Sequence, residues 1–200
     1  MIRGIIFDLD GTLVQLPIRY DYLHSELKKL LGTDDELIPL ISSIVNLARN
    51  GNMINEAFEI ICREEIQSVN GMTIISGAEE LLTYLKTRNY LLGLVTLQCK
   101  TATEQILSKM GISNLFNSIL TRDDSHDRLD QIKKTLHRLG LSPSETIMIG
   151  NRLNDVESAQ NVGCQSILVS NKENHLRRLD INTIRKLSDI KNYKLLNTNI

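Results

Sequence analysis

Two carboxylates stand two residues apart in Phe7-Asp8-Leu9-Asp10-Gly11-Thr12-Leu13, directly after an isoleucine-rich apolar run. A strand leaving for solvent explains one such acid. It does not easily explain a pair joined to a glycine and a threonine, because Gly11 permits a tight turn that a side chain would hinder. Two acids this close can be held in different protonation states by their surroundings, which suits acid–base work at one centre. A second apolar run, Thr146 to Ile149, stops at Gly150 and turns polar, with Asn151 and then Asp155. A third, Tyr90 to Val95, ends at Thr96 and Leu97.

The elements that must carry these residues are legible in the hydrophobic pattern. Ile2 to Phe7, Tyr90 to Val95, Ser118 to Leu120, Thr146 to Ile149 and Ser166 to Val169 read as short buried strands. Helical patterns lie between them: Glu79 to Arg88, Thr101 to Met110 before Gly111, Leu129 to Leu139 before Gly140, and Asp155 to Val162 before Gly163. Buried strands alternating with helices predict an α/β fold with a parallel sheet covered on both faces. The segment from Gln15 to Gly77 breaks the alternation and contains no convincing strand. Three amphipathic helices fit it, one around Tyr22 to Leu31, one over Leu37 to Ala48 and one over Asn55 to Val69. An insertion there follows the carboxyl end of a parallel strand, the edge where open α/β sheets bind ligands. It is placed to cover a site.

Composition excludes several function classes. The 200 residues suit one domain of ordinary size or one domain carrying an insertion, and the 42% apolar share supports a sizeable core. A formal net charge of -1 without a long basic run argues against nucleic-acid or membrane-surface binding. No stretch is apolar and long enough to span a bilayer, and the N-terminal apolar run is too short for a signal peptide. Cys62, Cys99 and Cys164 are odd in number and far apart, which predicts three reduced, mostly buried thiols in a cytoplasmic protein.

The Asp-x-Asp-Gly-Thr of Asp8 to Thr12 resembles the opening motif of the haloacid dehalogenase superfamily, most of whose members are phosphatases. Ser76-Gly77-Ala78-Glu79-Glu80-Leu81-Leu82 is similar to that family's entry into the core, with Ser76 in place of Pro. Leu94-Val95-Thr96 resembles the second motif and Gly150 to Asp155 the fourth. The resemblance implies a Rossmann-like core over residues 1–14 and 78–200. It also implies a small all-helical cap over 15–77, as in the phosphoglycolate-phosphatase-like branch. It makes Asp8 the nucleophile that forms an aspartyl-phosphate. Asp10 becomes the acid that protonates the leaving alcohol and then the base that activates water, with Thr12 orienting it. Asp10 favours phosphate chemistry over dehalogenation, which lacks the second acid. Gly11 and Thr12 belong to the substrate loop, and Thr96 with the backbone around Leu97 would hold phosphoryl oxygens. The implied cofactor is Mg²⁺, held by Asp8, the Asp10 carbonyl and the fourth motif.

Two positions depart from the family pattern. Asn151 stands where an acid is usual, and it offers a carbonyl oxygen without charge. One charge at about 4 Å is worth roughly 4 kcal/mol at an effective dielectric near 20, an upper bound here. A third of that weakens metal binding about tenfold. Asp155 is the natural rescuer, as a ligand or through water. The family's loop lysine is missing from Thr121 to Leu129. Arg128 is the preferred replacement because a guanidinium can fork onto phosphate. His126 is the fallback, and Lys133 and Lys134 lie further along the helix.

The leading expectation is a Mg²⁺-dependent phosphatase for a small soluble phosphate monoester. The alternatives are a catalytically weakened binder of a phosphorylated ligand or partner, and a phosphomutase of the same fold. Arg19, Tyr20, His24, Arg49 and Asn52 are the residues of the insertion that could face the site. Substrate identity and oligomeric state are not readable from the residues.

Overall fold

The computed structural model describes residues 1–170 and 181–193. Six strands form one sheet in the order β5-β4-β1-β6-β7-β8, every neighbouring pair parallel. They are β1 (Gly4–Phe7), β4 (Leu91–Val95), β5 (Ser118–Leu120), β6 (Thr146–Gly150), β7 (Gln165–Val169) and β8 (Thr183–Ile184). The helices of this layer are α4 (Ala78–Thr87), α5 (Lys100–Met110), α6 (Arg128–Leu139) and α7 (Leu153–Val162). β1 pairs with β4 on one side and β6 on the other, so Phe7 aligns with Leu94 and Ile149.

The central strand shows why its sequence is apolar throughout. Ile5 and Phe7 point into the cluster with Leu81, Leu85 and Ile106, while Ile6 points into the cluster with Ile132, Leu136 and Ala159. A strand buried on both faces cannot alternate apolar with polar residues. From β1 the chain runs to β4 and β5 on one side, and then to β6, β7 and β8 on the other. That reversal puts a crevice at the carboxyl ends of β1, β4 and β6.

Three helices lie between β1 and α4: α1 (Tyr20–Leu31), α2 (Leu40–Leu47) and α3 (Gly51–Ser68). Leu23, Leu27 and Leu31 of α1 meet Ile41 and Ile44 of α2 and Ala57 and Ile61 of α3 in a core of their own. Asn50 caps α3 by accepting from the Met53 amide at 3.0 Å. The expectation that the segment holds no strand is corrected. β2 (Val14–Gln15) and β3 (Thr73–Ile74) pair antiparallel and close the base of the insertion. Two residues per strand are too few to leave an alternation in the sequence.

Three other expectations change. Helix α6 begins at Arg128, so Arg128 is its first residue rather than the end of a loop. β8 was not expected, because a two-residue strand carries no period. The prediction of three reduced thiols is overturned: Cys62 of α3 and Cys99 before α5 form a disulfide, and Cys164 alone is free and buried. The two partners lie 37 residues apart, and only the fold brings them together. Among the described residues no helix is long and apolar enough to cross a membrane.

Candidate active site

β1 delivers Asp8 and Asp10 to the crevice, and the turn after it holds them there. Gly11 has φ +85, with its amide donating to the Val14 carbonyl at 2.6 Å. A Cβ at Gly11 would collide with the Asn151 side-chain amide, so the glycine is needed for close approach as well as for the turn. Asp10 is held by the Leu16 amide, which donates to its Oδ1 at 2.9 Å, and by the side chain of Gln98. The expectation that Thr12 orients Asp10 is thereby corrected. Thr12 is fully buried, and its hydroxyl lies 3.4 Å from both Asp8 Oδ2 and Asn151 Oδ1.

Arg128 sits at the centre of the charged network. Its Nη2 donates to Asp8 Oδ1 at 2.6 Å, and its Nε lies 3.1 Å from Asp155 Oδ1 in an ion pair. The Nε contact lacks the angle of a hydrogen bond. Nη1 donates to Gln131 Oε1 at 3.2 Å. All three charged residues are almost wholly buried. The helix places Arg128 because Asp127 caps α6, accepting from the Leu129 amide at 3.0 Å. Gln131, one turn on, fixes the neighbouring loops: its Nε2 lies 2.8 Å from the carbonyls of Thr96 and Ser125 and 3.0 Å from that of Thr121.

The fourth-motif loop closes the other side. Gly150 has no Cβ, and one there would overlap the Asp155 carboxylate. Asp155 Oδ2 accepts from the Arg152 amide at 3.1 Å. Both its oxygens therefore face protein donors, Arg128 on one side and the α7 start on the other. Asn151 packs against Gly11 and Thr12 behind Asp8 rather than on the cavity wall. On β4, the Thr96 amide bonds to Leu120 and its hydroxyl accepts from the Gln98 amide at 3.1 Å.

These groups open into a cavity of about 670 Å³ between the sheet edge and the helical insertion. Asp8, Asp10, Thr96, Leu97, Arg128 and Asp155 form its floor. Tyr20, His24, Leu37, Ile41 and Ile61 belong to the opposite wall, and His126 also lines it. Of the insertion residues picked from the sequence, Tyr20 and His24 reach the cavity. Arg19 instead pairs with Glu64 at 2.6 Å, and Arg49 and Asn52 are exposed away from it. Lys133 and Lys134 are also exposed, the latter paired with Asp130. Arg152, which the motif did not single out, lines the cavity and hydrogen-bonds the Tyr20 side chain.

Electrostatics separate the two acids from ordinary carboxylates. Burial pushes the Asp8 carboxyl up to about 7, reinforced by Asp155 and opposed by Arg128 and Arg152. Burial also raises Asp10, opposed by the Leu16 amide and the Gln98 side chain. Asp8 thus remains short of positive charge even with a guanidinium against it. Asp8, Asp10 and Asn151 offer oxygen donors only, which suits a hard cation.

The sequence profile of haloacid dehalogenase-like hydrolases matches residues 5–169. The pyrophosphatase PpaX of Bacillus velezensis is 30% identical, the match covering 82% of this chain and 82% of that protein. A phosphoglycolate phosphatase of Pectobacterium atrosepticum is 25% identical over 83% of this chain and 79% of its own. The solved structure of a haloacid dehalogenase-like family hydrolase from Streptococcus pneumoniae superposes with a TM-score of 0.72 at 23% identity, covering 96% of this chain and 98% of that one. The chain belongs to the haloacid dehalogenase-like hydrolases.

Proposed function

We propose that this hydrolase is a Mg²⁺-dependent phosphatase of a small phosphate monoester, working through an aspartyl-phosphate on Asp8. The observation that supports it best is the buried chain Asp8–Arg128–Asp155, with Asp10 held separately at the same strand end. Relatives carry the names pyrophosphatase and phosphoglycolate phosphatase, which supports phosphoryl chemistry on small substrates.

The substrate's phosphoryl group would lie between Asp8, the Thr96 hydroxyl and Arg128. Asp8 attacks phosphorus as the ester P–O bond breaks, and Asp10 gives its proton to the leaving oxygen. The raised pKa of Asp10 suits the acid role. Water then attacks phosphorus, Asp10 takes its proton, and the bond to Asp8 breaks to release phosphate. Arg128 balances the charge of the transferred group and holds Asp8 in line. Asp155 acts on Arg128 rather than on the substrate. Bound Mg²⁺ would supply the remaining charge neutralisation; Asp8 and the Asp10 carbonyl are the residues suited to hold it, and Asn151, packed behind Asp8, would join them only by turning from Thr12. The helical segment 15–77 serves as the cap over this core, and a cytoplasmic location suits a small phosphorylated metabolite.

A second reading, a weakened phosphate binder, is favoured by Asn151, which lacks the charge of an acid, and by the missing loop lysine. Hydrolysis of an aryl phosphate with Mg²⁺ and with a chelator separates the two. Turnover that requires Mg²⁺ supports the phosphatase. Phosphate or vanadate binding without turnover supports the binder. Product analysis with a sugar phosphate separates hydrolysis from a mutase reaction.

A further inference from the structure

The disulfide joins the two parts of the molecule that face each other across the cavity. Cys62 lies in α3 of the helical insertion, and Cys99 lies at the start of α5, three residues after Thr96. Their Cα atoms are 5.6 Å apart. One turn of α3 beyond Cys62, Glu65 accepts from the Cys99 amide at 2.9 Å. Glu65 also forms a buried double hydrogen bond with Arg122, at 2.7 and 3.0 Å. Arg122 donates in turn to the Leu97 carbonyl. A single turn of α3 is therefore bound covalently and by charge to the loop that carries Thr96, Leu97 and Gln98. Glu65 commits its oxygens to Arg122 and to the Cys99 amide, which leaves the two sulfurs to each other.

We propose that Cys62–Cys99 is a reversible thiol–disulfide site that clamps the insertion over the active site and so regulates turnover. This rests on the phosphatase reading for its activity readout alone. The wall carrying Tyr20, His24 and Ile61 faces the sheet edge across the cavity, and motions of such covering walls set turnover in many enzymes. With the bond intact, α3 cannot leave the Thr96 loop. With it reduced, that contact keeps the bonds of Glu65 to Arg122 and to the Cys99 amide but loses its covalent link. The reductant is a dithiol. One of its thiolates attacks a sulfur of the disulfide, forming a mixed disulfide and releasing the other cysteine as a thiolate. Its second thiol closes the dithiol's own ring disulfide, and the protein gains two electrons and two protons. Cys62 is only half-buried and is the accessible end, whereas Cys99 is buried.

The full chain is prepared oxidised with diamide and reduced with dithiothreitol, and thiols are counted by alkylation and intact mass. Aryl phosphate turnover with Mg²⁺ and amide hydrogen exchange of residues 51–68 are then measured on both forms. The proposal expects two fewer alkylated thiols in the oxidised form, faster exchange of α3 after reduction, and turnover about threefold or more higher in the reduced form. Cys62→Ser and Cys99→Ser should each match the reduced parent and ignore diamide. The parent comparison stands without them if either variant fails to fold. Equal exchange and equal turnover in the two forms, or three alkylated thiols after diamide, overturns the proposal. No turnover in either form counts against the phosphatase reading instead, and the exchange of α3 then decides the clamp by itself.

Discussion

Arg128 and Asp8 face each other at 2.6 Å with both side chains almost wholly buried, although 120 residues separate them in the chain. The guanidinium reaches the Asp8 carboxylate from the first residue of α6 and is anchored behind by Asp155. In the proposed mechanism it takes the role of the family's missing loop lysine, with a planar fork in place of a point charge.

Removing that guanidinium should therefore be felt in anion binding. Arg128→Ala is expected to weaken vanadate binding by at least about tenfold, the loss of ~1.4 kcal/mol, while Lys133→Ala leaves it unchanged. Arg128→Lys should recover part of the loss, because the charge returns without the contact to Asp155. Equal vanadate affinities for the Arg128 and Lys133 variants would remove Arg128 from the site.

Asn151 should limit metal affinity. Its amide oxygen shares the Thr12 hydroxyl with Asp8, so an acid there would add charge next to Asp8. Asn151→Asp is expected to lower the Mg²⁺ concentration for half-maximal activity by about tenfold. A Mg²⁺ titration of parent and variant measures it. No change would place Asn151 outside the metal's reach. An inactive parent that gains activity on this substitution would favour the binder reading.

The raised pKa of Asp8 has a consequence for stability. Its carboxyl titrates near 7 in the metal-free fold, against 3.8 as an ordinary side chain. Between these values the native state holds a proton that the unfolded chain has lost, so metal-free stability falls as pH rises through that window and levels off above it. Asp8→Asn should flatten the fall, leaving a Tm at pH 8 above the parent's by about 2 °C or more, the shift that ~1 kcal/mol gives at this size. Thermal melts in chelator at pH 5 and pH 8 check this. Parallel curves for parent and variant would show that Asp8 carries no such penalty.

Much of this site was legible in the residues because it sits at strand ends. β1, β4 and β6 are short apolar runs, and Asp8, Thr96 and Asn151 follow them directly. Counting back from Gly140 and Gly150 leads to a position near His126, and Arg128, two residues on, is preferred only because its permanent charge can fork onto phosphate. What escaped depends on contacts between distant segments. Gln98 on Asp10, Gln131 on three carbonyls, Glu65 on Arg122 and Cys62 on Cys99 leave no local pattern. Thr12 was read onto Asp10 because sequence spacing says nothing of which way a turn points its hydroxyl.

The covalent role of Asp8 is the centre of the account, and trapping tests it most directly. During turnover of an aryl phosphate with Mg²⁺, the enzyme is quenched with borohydride, which reduces an acyl phosphate to an alcohol. The peptide containing residues 7–13 is then sequenced by mass spectrometry. Homoserine should replace aspartate at position 8 alone, in an amount that rises in Asp10→Asn, where the base for the second step is gone. Unmodified Asp8 in both proteins while hydrolysis proceeds would contradict the aspartyl-phosphate and, with it, the assignment of the nucleophile.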